Sequence, residues 1–156
     1  MLCLIYGGLS FYDMRALSSS SSDYSIASGN NTYYFNLCGY TVSECNGDSV
    51  YAYLNDGSSC IDMTDNETDS ITNSIVTING TDLVQFYYSN GAVCSGTSNY
   101  SLTLNAMCDE SGSSSDSLNI TYVDVTDECA PVITFYHKDA CPEFTANTLV
   151  KFLVNH

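Results

Sequence analysis

Eight cysteines are spread along almost the whole chain: Cys3, Cys38, Cys45, Cys60, Cys94, Cys108, Cys129 and Cys141. An even, dispersed set of this kind reads as a disulfide framework, which confines the chain to folds that staple distant segments together. The count alone leaves the pairing open. Structural zinc would need Cys-x-x-Cys pairs or nearby histidine ligands. Here no two cysteines are closer than seven positions, and His137 and His156 are the only histidines. No metal is therefore expected. A Cys–His nucleophile needs a free thiol, and even pairing leaves none. Five Asn-x-Ser/Thr triplets accompany the cysteines, at Asn30, Asn66, Asn79, Asn99 and Asn119. Disulfides, sequons and a near-absence of lysine together read as an N-glycosylated protein of the secretory-pathway lumen or the cell exterior.

Charge narrows the partners. Eighteen Asp and Glu residues face three cations, Arg15, Lys138 and Lys151, for a net charge of -15. Such a field repels nucleic acid and anionic lipid, so neither is expected as a partner. Phosphorylated or sulfated ligands are disfavoured unless a local cation overrides the field. The 156 residues, 44% of them apolar, suffice for one domain with a core and are too hydrophobic for a disordered chain. The opening "MLCLIYGGLS" lacks the basic start of a secretory leader. No stretch reaches the roughly 20 apolar residues of a membrane-spanning helix. The expectation is one segment of a longer precursor, or a processed product, with its signal and any anchor outside it.

The hydrophobic period is two rather than 3.6. Strands are expected at "TYYFNLC" (32–38), "SVYAYL" (49–54), "SIVTIN" (74–79), "DLVQFYYS" (82–89), "YSLTLNAM" (100–107), "SLNITYVDV" (117–125) and "PVITFYHK" (131–138). "LNDGSS", "SNGAV", "ESGSSSD" and "KDACPE" supply turns between them. Many short strands at this spacing predict an all-β antiparallel sandwich or flattened barrel. "SSSSSD" (18–23) and "SGSSSD" (111–116) read as flexible solvated linkers. "TLVKFLVN" (148–155) is strand-like and either finishes the sheet or offers an edge to another chain.

"FYYSNGAVC", "SLTLNAMCD" and "DECAPVITFYHKDACP", with "YYFNLCG" and "LCLIYGGLSFYDMRALSSSSSDYSI" before them, resemble the mannose 6-phosphate receptor homology (MRH) domain family over about residues 3–142. The resemblance implies a flattened β-barrel of two nearly orthogonal antiparallel sheets. It also implies the bridges Cys3–Cys38, Cys45–Cys60, Cys94–Cys129 and Cys108–Cys141. On this reading residues 1–142 form the MRH-like domain, and 143–156 form a strand-like extension that serves as an assembly connector.

Lectin members of that family hold mannose with Gln, Arg, Glu and Tyr. Vicinal hydroxyls need donors and acceptors in fixed geometry, and an arginine forks across two oxygens. Here the Gln position falls on Ala52, with Tyr53 its neighbour. The Arg position falls on Tyr100, the Glu position on Thr121 and the Tyr position on Pro131. A gap brings Asp124 or Glu128 near the Glu position. Gln85 is the only glutamine and lies on another strand; Arg15 is the only arginine and lies in "YDMRAL". Phosphomannose recognition by the family route is not expected. An altered sugar site would use Tyr100 for stacking and Asp124 or Glu128 as acceptors. Tyr100 reads more simply as a wall residue, and a glycan on Asn99 would cover the same edge.

Catalytic motifs are absent: no Gly-x-Ser-x-Gly, no His-Glu-x-x-His and no phosphate-cradling glycine loop. His137 reads as structural or exposed. Neither an enzyme nor a cofactor is expected. "DMTDNETD" (62–69) carries oxygens that suit calcium, but its spacing does not match an EF-hand. It reads as a solvated acidic loop. Thirteen tyrosines and no tryptophan provide core together with polar-tipped aromatic surface. The expected function is a non-catalytic structural or protein-interaction module of an extracellular assembly. The alternative is a glycan-binding lectin, or the luminal domain of a sorting or quality-control receptor, using non-standard contacts.

Overall fold

The computed structural model describes residues 3–8, 10–112 and 117–143. Two strands open the chain, β1 (Leu4–Gly7) and β2 (Ser10–Asp13), followed by β3 (Tyr24–Ser28), β4 (Asn31–Phe35), β5 (Ala52–Asn55) and β6 (Cys60–Asp62). Next come β7 (Ile71–Ile78), β8 (Thr81–Tyr88), β9 (Val93–Ser95) and β10 (Ser98–Asn99). The last three are β11 (Leu102–Cys108), β12 (Asn119–Asp124) and β13 (Val132–His137). The helical turns among the described residues are 3-10 turns, at Arg15–Leu17, Thr68–Ser70 and Lys138–Ala140. No helix among the described residues is long and apolar enough to cross a membrane.

The strands form a five-stranded sheet, β12-β13-β11-β8-β7, and a four-stranded sheet, β3-β4-β5-β6, with β1-β2 and β9-β10 as separate pairs. Among the described residues both larger sheets keep two edges, so the architecture is a sandwich and not a closed barrel. Alternation explains the core. Tyr33 and Phe35 of β4 and Ala52 and Leu54 of β5 face Val84 and Phe86 of β8, Leu102 and Leu104 of β11, and Ile133 and Phe135 of β13. All ten are buried.

The all-antiparallel expectation needs one correction. β11 and β13 run parallel, from Thr103 opposite Val132 to Cys108 opposite His137. Parallel neighbours need a crossover. Here the intervening chain runs out to form the edge strand β12, and β13 then returns antiparallel between β12 and β11. Side-chain alternation is the same for either strand direction, so the period in the sequence cannot reveal this.

The four disulfides are Cys3–Cys38, Cys45–Cys60, Cys94–Cys129 and Cys108–Cys141. A second, smaller apolar cluster lies on the outer face of the four-stranded sheet. It holds Cys45, Val50 and Tyr53, with Tyr34 and Cys60 packed against it. The Tyr34 and Tyr53 rings stack at 4.7 Å.

"SSSSSD" is not a loose linker. The buried Asn36 accepts from the Ser19 amide at 3.0 Å and donates to the Ser19 and Tyr40 carbonyls at 2.7 and 2.9 Å. Asp23 accepts from the Val42 and Ser43 amides. Of "SGSSSD", residues 113–116 lie outside the described residues, as does the strand-like tail at 148–155. The chain is described as far as Glu143, whose amide donates to the Phe11 carbonyl at 2.9 Å.

Candidate functional site

One run of backbone hydrogen bonds connects three of the four positions at which the sequence resemblance expects sugar contacts. The Ala52 carbonyl accepts from the Met63 amide at 3.0 Å, and the Asp62 carbonyl accepts from Ala92 at 2.9 Å. Ala92 in turn accepts from Tyr100 at 2.9 Å, and Tyr100 accepts from Gly91 at 3.0 Å. Ser101 then donates to Cys129 at 2.9 Å, and Thr103 donates to Pro131 at 3.1 Å. Ala52, Tyr100 and Pro131 thus lie around one end of the sandwich, where β6 and the 91–92 turn meet the starts of β11 and β13.

Thr121 stands apart. It is the extra residue of a bulge in β12, between Ile120 opposite Phe135 and Tyr122 opposite Thr134. Its exposed hydroxyl donates to the Thr134 carbonyl at 3.4 Å. Asp124 pairs with Val132, the residue after Pro131. Its Oδ1 accepts from the Thr126 amide at 2.9 Å. Bonding to the Thr126 side chain and amide holds its carboxyl below the usual carboxylate range. Glu128 is exposed in the turn before Cys129.

The chemistry at these positions is mostly apolar. Ala52 has 0% exposure and belongs to the main core. Pro131 is buried and has no polar side chain. Tyr100 is half-buried, with its side chain packed against the same core. It contributes a wall at this end of the sandwich. Gly91 closes the region further: a Cβ there would lie 2.6 Å from the Asp62 carbonyl oxygen and 2.7 Å from the Met63 carbonyl carbon.

Asp62 is shifted in the direction opposite to Asp124. Its Oδ1 is buried and has no hydrogen-bond partner among the described residues. Burial, and then the charge of Asp48, push its carboxyl above the usual range. Asp62 pairs with Tyr53 in the ladder, so its side chain stands on the outer face, beside Tyr53. That is the face opposite to Ala52.

The acidic run at 62–69 disperses. Asp62 belongs to the sheet, and Asp65 Oδ1 accepts from the Glu67 amide at 3.0 Å. Among the described residues, no three His, Cys, Asp or Glu side chains converge as a metal-holding group. His137 is buried, with Nδ1 accepting from the Asp139 amide at 3.1 Å. All eight cysteines are bridged.

All five sequon asparagines are exposed. Asn30 follows Gly29 in the β3–β4 turn, and Asn66 precedes the Thr68–Ser70 turn. Asn79, with φ of 51°, forms the β7–β8 hairpin turn with Gly80, whose φ is 79°. Paired positive φ values are the signature of a type I′ turn. Asn99 ends β10, and Asn119 opens β12. Sequence reasoning did not anticipate a cleft of about 390 Å³ lined by Asp109, Leu118, Asn119, Tyr136, His137 and Lys138. Asn119 and Tyr136 are ladder partners seventeen positions apart, and no sequence signal marks that proximity.

No family model matches the chain, and no curated protein matches its sequence. Solved structures do match its fold. Chicken IGF2R domain 11 superposes with a TM-score of 0.65 at 17% identity, over 86% of each chain. The MRH domain of Yos9, solved in complex with α3,α6-Man5, superposes with a TM-score of 0.53 at 13% identity, over 76% of each chain. The chain has an MRH-like fold.

Proposed function

We propose that this chain is a non-catalytic binding module of the secretory-pathway lumen or cell exterior. In this reading it keeps an MRH-like scaffold, lacks the family's mannose site and works through protein contacts in an extracellular assembly. The observation that carries the reading is that Ala52 and Pro131, which the resemblance places at two of the family's sugar-binding positions, are buried apolar residues. Neither can bond a hydroxyl, and the remaining two positions hold a wall tyrosine and a threonine on a distant strand edge.

Other features support the setting. Four disulfides suit an oxidising compartment. Five exposed sequon asparagines are accessible to N-glycosylation. Tyr6, Tyr40, Tyr87 and Tyr122 expose aromatic surface with a polar tip, which is the chemistry enriched at protein interfaces.

The second reading is a lectin or the luminal part of a sorting receptor. It is favoured by the likeness to a Yos9 domain solved with a mannose oligosaccharide. Glycan-array binding of the oxidised domain, with free mannose as competitor, separates the two. We expect no mannose-competable binding. Competable binding would overturn the proposal in favour of the lectin, and substitution of Tyr100, Asp124 and Glu128 would then locate the site.

A further inference from the structure

Among the described residues, β12 is an edge of the five-stranded sheet, hydrogen-bonded to β13 on one side only. Unpaired strand edges invite pairing with other chains, and proteins blunt them. This edge carries the Thr121 bulge and the Asp124 carboxylate but no Lys or Pro, and Tyr122 on it is 58% exposed. It does carry a complete sequon, Asn119-Ile120-Thr121.

The ladder sets where a glycan there would go. Asn119 lies directly opposite Tyr136. Opposed residues point to the same face with Cβ atoms about 5 Å apart. Tyr122, opposite Thr134, follows on the same face beyond the bulge. Beside Asn119 opens the cleft of about 390 Å³, whose lining includes the apolar Leu118, the aromatic Tyr136 and the polar Asp109, His137 and Lys138. That volume lies within the roughly 300–1,000 Å³ of small-molecule sites. The first sugar of an N-glycan, N-acetylglucosamine, has an apolar C–H face for the ring and hydroxyl and acetamide groups for a carboxylate and an ammonium.

We propose that the N-glycan on Asn119 is a structural part of the domain: its first N-acetylglucosamine seats in the cleft beside Tyr136, and the remaining sugars shield the β12 edge. The inference rests on the secretory glycoprotein reading. Attachment forms a bond from Asn119 Nδ2 to sugar C1 and breaks the bond from C1 to a phosphorylated lipid carrier. Nδ2 loses one proton, and the host transferase and carrier supply the rest.

The test uses the full chain secreted from a glycosylating host, with mass spectrometry of each sequon. Asn119 is expected to be occupied. Asn119→Gln should lower Tm by about 2–4 °C and speed amide exchange in β12 and β13. Trimming the glycan to its first sugar should leave Tm unchanged. In a Tyr136→Ala background, Asn119→Gln should have no further effect on Tm. The amide-exchange comparison needs no Tyr136 variant, so it stands even if that variant fails to fold. An occupied Asn119 whose loss leaves β12 exchange unchanged would overturn this inference alone. A chain unmodified at every sequon would overturn the glycoprotein reading with it.

Discussion

Packing raises the affinity of the Asp62 carboxyl for its proton, first by burial and then through the charge of Asp48. A group with a raised folded pKa favours the folded state below its unfolded pKa. That advantage is lost as pH rises through the folded value. Asp62→Asn keeps the shape and removes the charge. Its Tm should match the native chain at pH values below the carboxylate range and exceed it at neutral pH. An equal difference at both pH values would show that the ionised carboxyl is not the source. The native–variant comparison isolates Asp62 from acids shifted the other way. Asp13 is the strongest of these, held at about 2 by its hydrogen bond to Arg15. Four acids and the amide Asn66 crowd the stretch from 62 to 69 in a pattern that reads as a solvated loop. Only the ladder shows that the first of them is enclosed beside Tyr53.

At the scale of elements, the alternating segments were legible and their ends were not. "TYYFNLC" reads as a strand to Cys38, yet β4 ends at Phe35. Asn36 turns its amide to the serine loop, and Cys38 adopts a φ of 71°. β1, β2, β3, β6, β9 and β10 lie outside the strands expected from the sequence, because each has five or fewer residues and, unlike β4 and β5, lies in no longer alternating run. "SNGAV" is visible as a turn, but not the closeness with which Gly91 approaches the backbone of Asp62 and Met63. That contact joins the four-stranded sheet to the 91–92 turn. Gly91→Ala should therefore cost about 1–3 kcal/mol, as overpacking does. The check is a fall in the urea midpoint at unchanged m-value. A variant as stable as the native chain would mean that the turn shifts freely and does not hold the sheets together.

For the whole molecule, the bridges differ in reach. Cys45–Cys60 closes a separation of 15 residues and belongs to the outer cluster, whereas Cys94–Cys129 closes 35. Restriction of the unfolded chain predicts about 3 kcal/mol for the shorter loop and nearly 4 for the longer. Replacing both cysteines of each pair with serine should lower Tm more for Cys94–Cys129. The reverse order would show that native packing, and not loop closure, sets what each bridge contributes.

Several properties follow from the chain alone. Period-two alternation made the domain all-β, because a strand places successive side chains on opposite faces. Eight dispersed cysteines made it disulfide-stapled, and a charge of -15 made nucleic acid an unfavourable partner. These properties depend on composition and on neighbours along the chain. Others depend on which distant residues become neighbours in space, and local pattern is silent on that. Only the tertiary structure ran β13 parallel to β11, enclosed the Asp62 oxygen and set Asn119 opposite Tyr136. It also packed Ala52 into the core, where an alanine side chain can do nothing but fill space.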